Sequence, residues 1–275
     1  MRVLVLSVPG DDVELASDRL WTAGAGAVEE RPLGNGLAEL RTILAESDRV
    51  SLGRLGTLPP TWQVSFETVD PQPLETWRQF ARPIVVSESL VIRPAWLSAT
   101  DDPGVVEVAI EPGGSFGLGD HPTTRLSAAA VWRATRPGDR VLDVGCGSGV
   151  LSIIAAHRGA ADVVAIDIAE SAREATDHNT VLNGVDDRIA ASTDPVSAVD
   201  GAFDVVVANI LAPVLVAIAA DLRRLTAPEG RLVLSGILAE RHAHVLAALH
   251  PMQVVGTQLL EGWASVELRH PLPAG

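Results

Sequence analysis

A Rossmann-like α/β domain, preceded by a small ferredoxin-like α+β unit, is the fold this sequence predicts. Three observations carry it. From residue 140 onward short apolar strands alternate with helical segments, the pattern of a parallel sheet covered by helices on both faces. The first seventy residues run strand, helix, strand, strand, helix, strand, the order of a ferredoxin-like unit. Between the two lies a proline-edged stretch, "DPQPLETWRQFARP", which carries Trp77 and Phe80 at helical spacing. The predicted domains are therefore 1–70, a linker helix over 71–83, and 84–275.

Taken in order, "RVLVLSV" predicts a strand and "DDVELASDRLWTAG" an amphipathic helix with Asp11 or Asp12 as N-cap. "GAVEER" and "GLAELRTIL" predict two strands joined by the turn "PLGNG". "ESDRVSLGRLG" is a weaker helix and "TWQVSFETV" alternates as a strand. "IVVSE", "LVIRPAW" and "GVVEVAIEP" are extended stretches ahead of the loop "SFGLGDHPTT". The strands that follow are expected at Arg140–Val144, Val163–Ile168, Asp204–Ile210 and Arg231–Ile237, with "APVLVAIAADLRRL" as a helix. "MQVVGTQLLEG" and "WASVELRH", joined at Glu261–Gly262, predict an antiparallel hairpin closing the sheet edge.

Composition narrows the partners. The chain has 275 residues, 47% of them hydrophobic, with no long uninterrupted apolar span, so a soluble protein without membrane contact is expected. Asp11 and Asp12 follow a very short apolar run, unlike a secretory leader. Cys146 is the only cysteine, which excludes an internal disulfide and fits a reducing cytoplasm. The net charge is −14, a balance that repels nucleic acid phosphates and favours encounter with a basic protein.

The stretch that decides the chemistry is "RVLDVGCGSGVLSIIAAH". A buried strand carries Asp143 near its end, and glycines follow at 145, 147 and 149 before a helix. A dinucleotide-binding turn would need glycine at 150, where this chain has Val150. The observed G-x-G-x-G after an acid instead resembles the first motif of S-adenosylmethionine-dependent methyltransferases. Cys146, inside this turn, is expected to pack rather than react. Asp167 ends the next strand, where a carboxylate can accept hydrogen bonds from both ribose hydroxyls; a helix N-cap is the alternative. Asn179, Asn183 and Gly184 are read as a helix end and its cap. Asn209 ends the fourth strand, at the edge where open α/β sheets place ligands. Its side-chain carbonyl can accept hydrogen bonds from an amine, and a plain N-cap is the alternative. N-I-L-A lacks the prolines and aromatic of the N-P-P-Y that amino-methyltransferases acting on adenine or glutamine often carry here, which favours an aliphatic amine.

The set "FGLGDHPTT", "LDVGCGSGVLSI", "AIDI", "ANILA", "LSGIL" and "GWASVELR" resembles the PrmA family, which methylates protein L11 of the large ribosomal subunit. "WRQFARPIVVSESLVIRPAW" is similar as well, so the likeness runs from about residue 75 to the end. The resemblance implies S-adenosyl-L-methionine as cofactor and an N-terminal domain that recognises the substrate across a flexible helical linker. It implies methylation of the N-terminal α-amine and lysine side chains of a basic ribosomal protein. Carried over by position, the cofactor loop is Phe116, Gly117, Gly119, His121, Thr123 and Thr124. Gly145, Gly147, Asp167 and Asn209 join it, with Asp143 of the glycine turn. Asn209 is the expected catalytic residue, and no metal is expected. "SFGLGDHPTT" would then form lid and wall of the cofactor pocket, although His121 reads equally as a helix-start residue. Leu118 departs from the family, which commonly has threonine there, so the hydroxyl of that position is missing. A cytoplasmic monomer is expected. Another protein target, a small-molecule amine and a non-catalytic cofactor-binding module remain alternatives.

Overall fold

In a computed structural model of the chain, the described residues are 2–23, 25–44, 53, 55–68, 81–100, 102–111, 119–240 and 242–271. They divide into two compact units, Met1–Ala81 and Arg82–Gly275. Among the described residues no helix is long and apolar enough to cross a membrane.

The first unit contains β1 (Arg2–Pro9), α1 (Val13–Thr22), β2 (Ala25–Gly34), β3 (Leu37–Leu44) and β4 (Gln63–Thr68). Its strand order, β2-β3-β1-β4 with every neighbour antiparallel, is that of a ferredoxin-like sheet. The β2–β3 hairpin turns at Asn35 and Gly36, which both take positive φ as a type I′ turn requires. Ala16 and Leu20 of α1 bury against Leu4, Leu6 and Leu40, each leucine contributing about 1.5–3 kcal/mol. Asp11 and Asp12 lie in a one-turn 3₁₀ segment, Gly10–Asp12, that runs directly into α1, so Asp12 stands immediately before the first residue of the helix. The carboxylate of Asp12 accepts a hydrogen bond from Trp62 Nε1 at 2.9 Å, tying the helix entrance to the segment before β4. The weaker helix at 46–56 falls mostly outside the described residues, as does the linker helix up to residue 80.

The second unit opens with a three-stranded sheet: β5 (Ile84–Ser87), β6 (Leu90–Pro94) and β7 (Val106–Ile110), with β6 and β7 parallel. Then come α2 (Pro122–Ala134), β8 (Arg140–Val144), α3 (Val150–His157), β9 (Asp162–Ile166), α4 (Glu170–Leu182) and β10 (Ile189–Ser192). They are followed by β11 (Phe203–Asn209), α5 (Ala212–Ala217), α6 (Ala219–Leu225), β12 (Thr226–Leu238), α7 (Ala243–Ala248), β13 (Gln253–Leu260) and β14 (Trp263–Arg269). Strands β8 to β14 form one seven-stranded sheet, ordered β10-β9-β8-β11-β12-β14-β13. It is parallel from β10 to β12, and β14 inserts antiparallel between β12 and β13.

Alternation along the strands divides the core. Val141, Val205 and Val207 pack on one face with α3, while Leu142, Val206 and Ala208 pack on the other with α5, α6 and α7. Both faces are covered, which is why these strands read as continuous apolar runs. The segment expected as one helix after Asn209 is two, because the chain breaks at Ile218 (φ −102°, ψ 10°) with no glycine or proline to announce it. From β8 the chain winds outward through β9 to β10, and from β11 it winds the other way through β12. The topological switch point therefore lies between β8 and β11, where doubly wound sheets open a ligand crevice at their carboxyl edge.

Candidate functional site

The glycine turn leaves the carboxyl end of β8 at this switch point. Positive φ at 145, 147 and 149 curls the backbone, and the amides of Gly145 and Cys146 both donate to the carbonyl of Ile166 at the end of β9. Beneath the turn, Asp143 is fully buried and one oxygen accepts from both the amide (3.1 Å) and the hydroxyl (2.7 Å) of Ser152. Its other oxygen, Oδ1, has no partner among the described residues. Burial pushes the Asp143 carboxyl up to about 7, against the lowering effect of the Ser152 bonds. The residue thus anchors the start of α3 and lies behind the turn rather than in its mouth.

Asp167, one residue past β9, is half-buried. It accepts from the amide of Gly147 (3.0 Å) on one oxygen and from the amide of Ala169 (3.0 Å) on the other. Burial raises its pKa, while bonds from the amides of Ala169, Gly147 and Ile168 oppose the rise. The N-cap of α4 is Ala169, so Asp167 stands outside the helix and braces the glycine turn from the neighbouring strand end. Its remaining lone pairs suit a vicinal diol. Cys146 is buried and packs in the turn, its Sγ 3.4 Å from the Thr176 hydroxyl oxygen.

Asn209 ends β11 in register with Ser235 of β12. It is half-buried, and its side chain makes no hydrogen bond within the described residues. The N-cap of α5 is Leu211, so Asn209 is not the cap of that helix. The next residue, Ile210, is held by close approach on two sides. A Cβ on Gly145 would stand 2.4 Å from Ile210 Cγ2, and one on Gly236 would stand 2.3 Å from the Ile210 carbonyl oxygen. Only glycine fits either place.

His121 is the N-cap of α2, and its ring accepts from the amide of Thr123. Nδ1 lies 2.7 Å from Thr123 Oγ1, and the ring meets Trp263 edge-on at 5.1 Å. Burial lowers its pKa, opposed by the charges of Asp120 and Glu261, which suits an unprotonated Nδ1 as acceptor. Thr123 and Thr124 are buried at the first turn of α2, and Thr124 Oγ1 has no partner among the described residues. The hydroxyl of Ser235 lies between the carbonyls of Ala264 (3.1 Å) and Thr123 (3.4 Å), which brings this helix start to the same sheet edge as Asn209. Gly119, with φ +100°, packs on Ile92, while Phe116, Gly117 and Leu118 lie outside the described residues.

The sheet edge therefore gathers Gly145, Gly147, Asp167, Asn209 and the His121–Thr124 helix start, with Asp143 beneath. Reasoning from sequence missed Thr176, Asn179, Ile210, Ser235, Gly236 and Trp263. Of these only Gly236, an isolated glycine in a strand, carried a local signal of close backbone approach. Asn179 was expected at the end of its helix but lies inside α4; Asn183 and Gly184 do close the helix, as C-cap and the positive-φ residue after it.

A sequence model of the family described as "Ribosomal protein L11 methyltransferase (PrmA)" matches residues 48–271. The chain belongs to this family. A ribosomal protein L11 methyltransferase of Symbiobacterium thermophilum is 36% identical over 270 residues, covering 96% of this chain and 84% of the relative. One from Geobacter sp. (strain M21) is 42% identical over 202 residues, covering 71% of this chain. The chain spans 66% of that relative's length and 62% of an Exiguobacterium relative's. Among solved structures, a ribosomal protein L11 methylase from Lactobacillus delbrueckii subsp. bulgaricus superposes with a TM-score of 0.64 at 31% identity. The match covers 69% of this chain and all of that one. As a member of the L11 methyltransferase family, the chain has a Rossmann-like methyltransferase domain, in keeping with the seven-stranded sheet described above.

Proposed function

We propose that this protein is an S-adenosyl-L-methionine-dependent N-methyltransferase whose substrate is ribosomal protein L11, modified at its N-terminal α-amine and at lysine side chains. One observation carries the reading: the glycine turn, Asp167 and Asn209 converge at the carboxyl edge of the sheet, on either side of its switch point. The fit to the cofactor rests on this chain's own atoms. Asp167 keeps lone pairs for two ribose hydroxyls after its amide bonds, and the glycine turn admits a ligand against bare backbone. Thr124 Oγ1 is buried and unpaired among the described residues, a hydroxyl placed to meet a polar group at the start of α2.

When bound, S-adenosyl-L-methionine supplies a sulfonium-activated methyl group and leaves as S-adenosylhomocysteine. The protein's part is to deliver a neutral amine in line with that group. Asn209 Oδ1 accepts a hydrogen bond from the amine N–H and directs the nitrogen lone pair. A protein α-amine titrates at about 8 and loses its proton readily, whereas a lysine at about 10.4 relies more on an apolar, water-poor site. Holding the partners aligned turns the transfer into an effectively unimolecular step. After transfer the surplus proton passes to solvent, so no dedicated base is required.

The N-terminal unit is the recognition module, carried on the linker of residues 71–83, and the protein works as a cytoplasmic monomer. Acidity supports a basic partner, since the whole chain carries −14 and residues 1–70 hold six arginines against eleven acidic side chains. The test is incubation of the full chain with labelled S-adenosyl-L-methionine and purified ribosomal protein L11, read by intact mass and peptide mapping. Successive gains of one methylene mass at the N-terminal amine and at lysines are expected, together with loss of the reaction when residues 1–70 are deleted. Tight S-adenosylhomocysteine binding with no mass gain would overturn the target and leave the cofactor standing.

A further inference from the structure

Helix α4 turns a polar stripe toward the site. Thr176, Asn179 and Asn183 lie three and four residues apart, on one face. The Thr176 hydroxyl donates to the carbonyl of Gly147 at 3.2 Å. Asn179, with 0% of its surface exposed, spends both of its side-chain N–H donors and one acceptor position on backbone. Its Oδ1 accepts from the Glu111 amide (2.9 Å), and its Nδ2 donates to the Glu111 carbonyl (3.0 Å) and the Ser148 carbonyl (2.9 Å). Asn183 makes the matching pair with Ala109, at 2.9 Å and 2.7 Å, but gives its second proton to the Asn179 carbonyl on its own helix. The two amides thus complete the free edge of β7 as another strand would.

The difference between the two asparagines is the informative part. Asn183 joins α4 to β7 only. Asn179 joins β7 to the glycine turn, because one amide group holds Glu111, at the start of the stretch leading into the "SFGLGDHPTT" loop, and Ser148 of the turn. We propose that Asn179 is a positioning residue for the cofactor site, a clamp that holds the carboxyl end of β7 at a fixed distance from the glycine turn. This rests on the cofactor reading given above. Loss of the clamp removes three bonds from α4 to the main chain of Glu111 and Ser148, and with them the tie between the end of β7 and the glycine turn. The bonds are all to main chain, so identity and length of side chain both matter: aspartate keeps the acceptor and loses both donations.

The experiment compares Asn179→Ala with Asn183→Ala in the full chain, measuring S-adenosylhomocysteine affinity by calorimetry and stability by thermal unfolding. Binding is measured well below both melting temperatures. N183A is expected to lower Tm while leaving Kd within about twofold, whereas N179A weakens binding about tenfold or more, each tenfold being about 1.4 kcal/mol. Should N179A fail to fold, Asn179→Asp, which keeps volume and one bond, is expected to show the same loss of affinity. Unchanged affinity in the Asn179 variant, or an equal loss in both variants, overturns the clamp. A wild-type chain that does not bind S-adenosylhomocysteine overturns the cofactor reading, and the clamp's role with it.

Discussion

On the β8–β9 side of the switch point the loops at the sheet edge are held by side-chain hydrogen bonds. Asp143 holds Ser152, Asp167 holds Gly147, and Thr176 and Asn179 hold the carbonyls of residues 147 and 148. On the β11–β12 side the corresponding loop is held by contact instead. Ile210 is wedged between Gly145 and Gly236, and Asn209 beside it spends no hydrogen bond on the described residues. The contrast suits two different tasks. A cofactor of fixed shape is best met by a polar network already satisfied and rigid. An amine that must be gripped only as it reacts is best met by a side chain with its bonding capacity unspent, on a backbone that cannot shift.

The largest effect is expected from the contact side. Gly236→Ala would drive a methyl group into the backbone of Ile210 and strain a residue at φ +80°, the strain alone being about 1–3 kcal/mol. Methyl transfer should fall at least about a hundredfold, with a lower Tm, since misplacement by an ångström can cost that much. A G236A enzyme of near-normal turnover would show that the Ile210 loop is not fixed by this contact. On the hydrogen-bonded side, Asp167→Ala removes the brace on Gly147 and, on the function proposed above, the acceptors for the ribose. S-adenosylhomocysteine affinity should drop about tenfold or more, as two charge-assisted bonds are lost. Calorimetry giving an unchanged Kd would remove Asp167 from the cofactor site.

A third effect, on stability rather than on binding or turnover, is a pH dependence from Asp143. Its carboxyl ionises near 3.8 when exposed but at about 7 in the folded chain. Below about pH 4 the residue is protonated in both states and contributes no difference. As pH rises through the window between these values the unfolded state ionises first, so wild-type stability falls, and above about 7 the loss is complete. Asp143→Asn cannot ionise, and the Tm of D143N relative to wild type should therefore climb from pH 4 to 7 and then level. A flat difference across that window would mean Asp143 titrates normally.

The two sides also differ in how much their sequences reveal. The glycine turn is legible because runs of Val and Leu mark the buried strands on either side and glycine marks positive φ. The fold order and the closing hairpin follow from the same signals, with Glu261 and Gly262 both at positive φ in the expected turn. Helix α4 hides its role because its amphipathicity is inverted. Val181 is 66% exposed while Asn179 is wholly buried, so a search for apolar faces looks at the wrong side. The bond between Asp12 and Trp62 was not legible, because the two residues lie 50 positions apart in the chain. The β10 strand is four residues of Ile, Ala and Ser with no alternation to betray it. Gly236 announces a close approach, but only the folded sheet shows that Ile210 is what approaches.

The most direct test of the division between the two sides is the Asn209→Ala variant, taken through S-adenosylhomocysteine titration and methyl transfer to ribosomal protein L11 in parallel. With Asn209 acting on the amine alone, Kd should stay within about twofold while kcat falls about a hundredfold, the signature of an interaction made in the transition state. Affinity lost in step with turnover would contradict it, and would place Asn209 among the groups that hold the cofactor.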